Sequence, residues 1–168
     1  MAESKPVVGV VMGSDSDLET MHACVKQLEA FGIACEVRIL SAHRTPDAAH
    51  EYASTAARRG LKVIVAAAGM SAALGGVLAS KSTLPVIGVP MASGPLVGVD
   101  AALSTMQMPP GIPVACMAIG KAGATNAAIF AAQILATADE KLAAKLVQFK
   151  ADQARKVLEK DQALRAGQ

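Results

Sequence analysis

The sequence predicts a three-layer, doubly wound α/β fold built on a single parallel sheet of five strands. Short apolar runs, typical of strands buried on both faces, alternate with segments whose apolar residues recur at helical spacing. The links between them are short and contain glycine, proline, serine or aspartate. Strands that alternate with helices pair in parallel through right-handed crossovers, which produces such a sheet.

The predicted strands are short and most are bounded by turn residues. The first is an uninterrupted apolar run that ends at Gly13, and the fourth lies between Pro85 and Pro90. The predicted strands cover Val7–Met12, Ala34–Leu40, Val63–Ala67, Val86–Val89 and Val114–Ala118.

The predicted helices carry recognisable start and stop signals. The first has apolar residues at helical spacing from Leu18 and stops at Gly32. The second starts with Thr45 as N-cap and Pro46 in the first turn, and it runs to Arg59. Further helices are predicted to end near Ser80 and to cover Leu96–Met106, Ala124–Thr137 and residues 139–164. The complete arrangement is flavodoxin-like, with an extra C-terminal helix.

The chain is predicted to form a single domain over residues 1–168, with its core at about 6–138. We expect the helix at 139–164 to pack on this domain or on a neighbouring subunit, because its apolar stripe is partial. The many alanine and glycine residues each bury little area, and such a thin core favours a homo-oligomer.

Composition excludes several classes of partner. A net charge of +2 and an aromatic content of 2% argue against nucleic-acid binding. Three scattered cysteines, Cys24, Cys35 and Cys116, show no metal-ligand spacing, and we expect reduced, buried thiols in the cytoplasm. No signal peptide or membrane span is evident, and no metal or cofactor is predicted.

Polar or glycine-rich segments follow the first three strands, whose carboxyl ends meet at one edge of a parallel sheet. In the first segment, backbone amides with Ser14 and Ser16 can bind a phosphate, and Asp17 can accept hydrogen bonds from ribose hydroxyls. The alternative is simple helix capping by Ser16 or Asp17.

The second segment combines a hydroxyl, an imidazole and a guanidinium in Ser41, His43 and Arg44. Arginine offers a planar fork for phosphate, and histidine exchanges a proton near neutral pH. The set therefore predicts a site that holds an anion while a proton moves, with His43 as the catalytic residue. The alternative is a structural histidine beside a solvated arginine.

The third segment, residues 66–76, has no titratable side chain. We expect Gly69 and Ser71 to contribute backbone amides and space for a flat ligand. Tight packing of a helix on a strand is the alternative. The segment is not G-x-G-x-x-G, and the chain has no G-x-x-x-x-G-K-[ST] loop.

Six motifs, in order, resemble one family closely between about residues 6 and 140. The family is that of the 5-(carboxyamino)imidazole ribonucleotide mutases of purine biosynthesis, related to the aminoimidazole ribonucleotide (AIR) carboxylases. The motifs cover residues 13–17 with Met21, 41–46, 85–90, 107–109, 111–114, and 119–123 with Asn126.

The resemblance implies an isomerase that moves a carboxylate from the exocyclic nitrogen of the nucleotide to ring carbon C4, without metal, ATP or biotin. It implies that Arg44 and Ser41 lie near the phosphate, Asp17 near the ribose, and that His43 is the general acid/base. It also implies a homo-octamer with active sites at subunit junctions and C-terminal helices that reach onto neighbours.

One departure from the family keeps a second activity open. Ala73 stands where most bacterial mutases have a second active-site histidine, and Gly75 replaces a proline. The run 71–74 looks somewhat like the related carboxylases, which use free CO2 to make the same product. The third hypothesis is a non-catalytic nucleotide-binding module, which the presence of His43, Arg44 and Asp17 disfavours.

Overall fold

The computed structural model describes residues 5–167. Its strands are β1 (Val8–Met12), β2 (Cys35–Ile39), β3 (Val63–Gly69), β4 (Val86–Met91) and β5 (Ala115–Cys116). All pairs are parallel, and the strand order is β2-β1-β3-β4-β5. The predicted sheet is therefore confirmed, including the reversal of direction after β2 that defines a doubly wound fold.

The helices are α1 (Leu18–Phe31), α2 (Pro46–Arg59), α3 (Leu74–Lys81), α4 (Val99–Met106), α5 (Lys121–Ala136) and α6 (Glu140–Ala166). Right-handed crossovers place α1 on one face of the sheet and α2, α3 and α4 on the other. The predicted α/β layering follows from this connectivity.

Several predicted boundaries are wrong for local reasons. Helix α4 starts at Val99 rather than Leu96, because Val97 (φ 51°) and Gly98 (φ 90°) have left-handed backbone that a right-handed helix cannot include. Strand β5 has only two residues, whereas β3 extends to Gly69. Thr45 does occupy the N-cap position of α2, but its side chain makes no capping bond.

One core cluster lies between the sheet and helices α2 and α3. Buried residues of β1 and β3 meet Tyr52, Leu74 and Leu78 there. Gly9, the second residue of β1, is required by this packing. A Cβ at that position would overlap the Tyr52 hydroxyl and would lie 3.2 Å from Leu61 Cδ1.

The chain forms two compact units, residues 5–131 and 132–167. The first contains the sheet, and the second contains α6, whose large apolar side chains Val147, Val157, Leu158 and Leu164 are exposed. The predicted single domain and the packing of the C-terminal helix remain predictions. No helix among the described residues is long and apolar enough to cross a membrane.

The cysteines are free, as predicted, but they differ in burial. Cys24 is buried, whereas Cys35 and Cys116 are only partly covered, so the expectation of three buried thiols is wrong for two of them. Burial raises the pKa of all three thiols, and that of Cys24 reaches about 12. The neutral thiol is therefore the favoured form at each position.

Candidate active site

The loops after β1, β2 and β3 begin side by side because the strands end in register. Met12 pairs with Ile39 on one side and with Ala67 on the other. The backbone continues this contact beyond the strands, since Gly13 N–H donates to the Ala67 carbonyl at 3.1 Å and Leu40 N–H to the Met12 carbonyl at 2.9 Å. Side chains that are far apart in sequence therefore meet at the carboxyl edge of the sheet.

A cleft of about 400 Å³ opens at this edge. Every residue predicted for the site lines it: Ser14, Ser16, Asp17, Ser41, His43, Arg44, Gly69 and Ser71. A ligand in this cleft would meet four segments of the chain, which lie between residues 13 and 93 of the sequence. The structure thus brings the predicted residues together in one cleft.

The first loop is shaped by its own hydroxyl groups. Ser14 Oγ accepts hydrogen bonds from Ser16 N–H at 3.3 Å and from Ser16 Oγ at 2.9 Å, and it donates to Asp15 Oδ1 at 3.1 Å. Ser14 is the cap of the short 3-10 turn at Asp15–Asp17. The alternative of capping by Ser16 or Asp17 is therefore wrong, because Asp17 precedes α1 without a side-chain capping bond.

Asp17 is the one strongly buried carboxylate of the cleft, with 7% of its surface exposed. This burial raises the pKa of Asp17, while the polar groups of Ser14 and Ser16 and the charge of Arg44 oppose the shift. A buried acceptor without a capping role is suited to binding hydroxyl groups of a ligand. Its environment therefore fits the predicted contact with ribose.

Arg44 connects the second loop to the first. Its Nη2 donates to the Gly13 carbonyl at 2.8 Å, and its Nε donates to Ser41 Oγ at 3.4 Å. These bonds hold the guanidinium across the cleft and leave its other N–H groups for an anion. The alternative of a merely solvated arginine does not describe this geometry.

The third loop contributes small residues and strained backbone. Met70 has a left-handed φ of 55°, which costs roughly 1–2 kcal/mol in a residue with a Cβ. A Cβ at Gly69 would overlap Ser93 Oγ, so the glycine makes room for that hydroxyl. The third loop is therefore closely packed and also lines the cleft, so the predictions of tight packing and of space for a ligand are compatible.

Sequence reasoning missed Ser93, which lies outside the three predicted segments but lines the cleft. Ser93 follows β4, and its position after a parallel strand was the available signal, although no motif surrounds it. Ala73, noted as a departure from the family, also lines the cleft. His22, which is exposed on α1, and His50, which is partly exposed on α2, do not line it.

Two further observations concern the surroundings of the cleft. Residues 5–167 contain no group of three or more His, Cys, Asp or Glu that could hold a metal ion. A second groove of about 260 Å³ lies beside α2. There the Arg59 guanidinium pairs with Glu36 at 2.6 Å and lies 4.6 Å from the Tyr52 ring centre, so its charge is already partnered.

The fold and the cleft define a flavodoxin-like α/β protein whose site combines an arginine anchored to two loops, a buried carboxylate and an exposed histidine at the carboxyl edge of the sheet. A family model described as AIR carboxylase matches residues 7–156. The chain belongs to this family.

Individual relatives agree with the family. The chain is 54% identical over 156 residues to the N5-carboxyaminoimidazole ribonucleotide mutase of Bacillus subtilis, covering 92% of this chain and 96% of the relative. It is 50% identical over 160 residues to the protein of the same name from Pyrococcus horikoshii, covering 95% and 89%. These names confirm the predicted enzyme class, an isomerase.

Solved structures extend the likeness to the fold. The crystal structure of Treponema denticola PurE matches with a TM-score of 0.85 and 31% identity, covering 95% of this chain and 98% of that chain. The predicted flavodoxin-like fold is therefore confirmed by comparison as well as by topology.

Proposed function

We propose that this chain is a mutase of de novo purine biosynthesis. It moves a carboxylate from the exocyclic nitrogen of 5-(carboxyamino)imidazole ribonucleotide to ring carbon C4 and yields 4-carboxy-5-aminoimidazole ribonucleotide. The observation that carries the proposal is the meeting of His43, Arg44 and Asp17 in one cleft of a chain whose relatives carry the mutase name.

The binding roles follow from the charge and the hydrogen-bonding capacity of each group. Arg44 and Ser41 bind the phosphate, since a held guanidinium offers parallel N–H donors to its oxygens. Ser14 and Ser16 supply hydroxyl donors beside it, and Asp17 accepts hydrogen bonds from the ribose. In this pose the imidazole ring extends towards the wall formed by the third loop.

The proposed chemistry needs a proton that is delivered and then recovered. Protonation of the exocyclic nitrogen by His43 breaks the N–C bond and releases CO2, which the cleft retains next to C4. The C4 carbon then attacks the CO2 and forms a C–C bond, and the proton left on C4 returns to His43. Atoms and charge balance over the cycle, and confinement of CO2 favours recombination over escape.

Ala73 favours a second candidate function, a CO2-dependent AIR carboxylase on the same fold. No imidazole is present at this position of the cleft wall, where most mutases of the family carry their second active-site histidine. In this alternative free CO2 enters the cleft, and only the second half of the reaction takes place. His43 would again remove the proton from C4.

Two parallel assays of the purified protein separate these candidates. One supplies the carboxyamino nucleotide in buffer stripped of CO2 and bicarbonate, and the other supplies uncarboxylated aminoimidazole ribonucleotide with concentrated bicarbonate. Rapid product in the first assay alone supports the mutase. Product mainly in the second assay overturns the mutase in favour of the carboxylase, and no product in either assay leaves the non-catalytic binding module.

The role of His43 is tested by His43→Asn, which removes proton exchange but keeps a similar volume. We expect substrate binding to survive and turnover to fall by about two to four orders of magnitude, the usual contribution of a general acid/base. His22→Asn, on the exposed surface of α1, is the matched control and should turn over like the wild type. Unchanged turnover in His43→Asn would remove this residue from the mechanism.

We further propose that the chain forms a homo-oligomer, with the octamer implied by the family resemblance as the expected state. Large apolar side chains remain exposed on and before α4, which is unusual for a surface that faces only water: Leu96, Val97, Val99, Leu103 and Met106. Light scattering gives the mass directly.

A cytoplasmic location is also proposed, because the free thiols stay reduced there.

A further inference from the structure

The loop that carries His43 is closed by the side chain of Thr45. Thr45 Oγ1 accepts a hydrogen bond from Ser41 N–H at 2.9 Å and donates one to the Ser41 carbonyl at 3.1 Å. The Thr45 N–H donates to the same carbonyl at 3.0 Å. Both backbone groups of Ser41 are therefore bound to one residue, and the five-residue segment 41–45 forms a closed ring.

The Ser41 side chain strengthens the same ring from within. Its Oγ accepts from the Arg44 N–H at 3.1 Å and from Arg44 Nε at 3.4 Å. The position of Ser41, in turn, depends on Thr45. This explains why Thr45 stands at the helix start without capping it, because its hydroxyl is already used as both donor and acceptor with Ser41.

His43 lies in the middle of this ring but has no hydrogen bond of its own to another described residue. Its side chain is exposed in the cleft, so neither packing nor a partner fixes the direction of the imidazole. We propose that Thr45 is a positioning residue that orients His43 towards the reacting atoms by holding the backbone of segment 41–45. A proton-transfer group must lie within hydrogen-bonding distance of its target, so a small backbone shift has a large effect.

The same contacts predict that chemistry and binding respond differently. Arg44 has a second anchor outside the ring, the Gly13 carbonyl at 2.8 Å. Ser41 keeps the hydrogen bond from the Thr45 N–H to its carbonyl when the hydroxyl is removed. Loss of the Thr45 hydroxyl therefore frees His43 more than it frees the two phosphate-binding residues. We expect a lower kcat with a nearly unchanged KM.

The test, which rests on the proposed function, compares Thr45→Val, Thr45→Ala and Thr45→Ser with the wild type. The valine and alanine variants should lose about tenfold to a hundredfold in kcat while KM stays within about twofold, since misplacement near 1 Å has effects of this size. The serine variant keeps the hydroxyl and should recover kcat to within about threefold of the wild type. Two hydroxyl-free variants keep the test valid if one fails to fold.

Thr55→Val is the matched control. Thr55 lies within α2 and, like Thr45, donates its hydroxyl to a carbonyl four residues earlier, that of Glu51 at 2.8 Å, but it does not line the cleft. This variant should turn over like the wild type. A wild-type kcat in Thr45→Val and Thr45→Ala, or a loss in Thr45→Ser as large as theirs, would overturn the proposal.

An NMR readout separates failure of this inference from failure of the proposed function. The ring Cε1–H signal of His43, assigned by its absence in His43→Asn, should move in Thr45→Val and stay in place in Thr45→Ser and Thr55→Val. A wild type without turnover would refute the mutase assignment. The His43 signal would still show whether the Thr45 hydroxyl holds segment 41–45 in place. An unmoved signal in Thr45→Val would overturn the positioning role whatever the activity.

Discussion

A methyl group added at Gly69 tests how tightly the third loop packs on the segment after β4. The added Cβ of Gly69→Ala would overlap Ser93 Oγ and would still lie 3.2 Å from Ser93 Cβ once the hydroxyl had rotated away. The next neighbour, Met91 Cβ, is at an ordinary contact distance of 3.5 Å. The steric problem is therefore specific to one side chain.

The magnitude follows from two opposing effects. Forcing extra volume into a packed site costs about 1–3 kcal/mol of folding free energy. Replacing glycine by alanine where the backbone tolerates it restores about 0.4–1 kcal/mol by restricting the unfolded chain. We therefore expect Gly69→Ala to destabilise the protein by about 1–2 kcal/mol, a fall in Tm of roughly 3–6 °C for a chain of this size.

A double-mutant cycle checks this reasoning. Thermal unfolding is followed at one protein concentration for the wild type, Gly69→Ala, Ser93→Ala and the double variant. Since Ser93→Ala removes the overlapping hydroxyl, the Gly69→Ala substitution should cost less than about 0.5 kcal/mol in its presence. An equal loss of stability in both backgrounds, or no loss in either, would refute the contact as the cause.

Four more outcomes are expected. Burial raises the pKa of Asp17 above its ordinary 3.8, so the folded chain loses stability as the pH rises from 3.8 through the pKa of the folded state. Asp17→Asn should therefore have a higher Tm than the wild type at neutral pH, and this difference in Tm should disappear below pH 4. Within residues 5–167 the buried Tyr52 hydroxyl has no hydrogen-bond partner, so Tyr52→Phe should be neutral or stabilise by up to about 1–2 kcal/mol in urea unfolding; a clear loss of stability would contradict this. Ala73→His should raise the ratio of the mutase rate to the carboxylase rate in the paired assays. An unchanged ratio would show that residue 73 does not decide between the two activities. Removal of the chain after Thr137 should lower the number of subunits per assembly, obtained by dividing the light-scattering mass by the mass of the shortened chain, since α6 carries exposed apolar residues; an unchanged number of subunits would exclude α6 from the interface.

The sequence predicted most of the fold because local patterns and connectivity agree. The apolar run of β1, Pro46 in the first turn of α2 and the left-handed Gly32 at the end of α1 are local signals, and the structure confirms the elements that they predicted. The predicted start of α4 at Leu96 was wrong, because the apolar spacing continues through residues 96–98 while the backbone of Val97 and Gly98 is left-handed. Periodicity describes which face a side chain takes and carries no information on φ.

The cleft residues were predictable for a related reason. Parallel strands end at one edge, so the loops that follow them must meet, and the residue types in those loops indicated anion binding and proton transfer. The sequence did not predict Ser93 because no motif surrounds it after its strand. Its hydroxyl has room only because Gly69 carries no side chain.

The sequence by itself therefore determined the order of strands and helices, the edge of the sheet that holds the site and the family to which the chain belongs. Only the tertiary structure decided how the site residues are held. Thr45 has the sequence signature of a helix cap, yet its hydroxyl binds Ser41 instead. Arg44 reaches a carbonyl 31 residues away. A side chain bonds to the partners that the folded chain brings within hydrogen-bonding distance, and a local sequence pattern does not contain those distances.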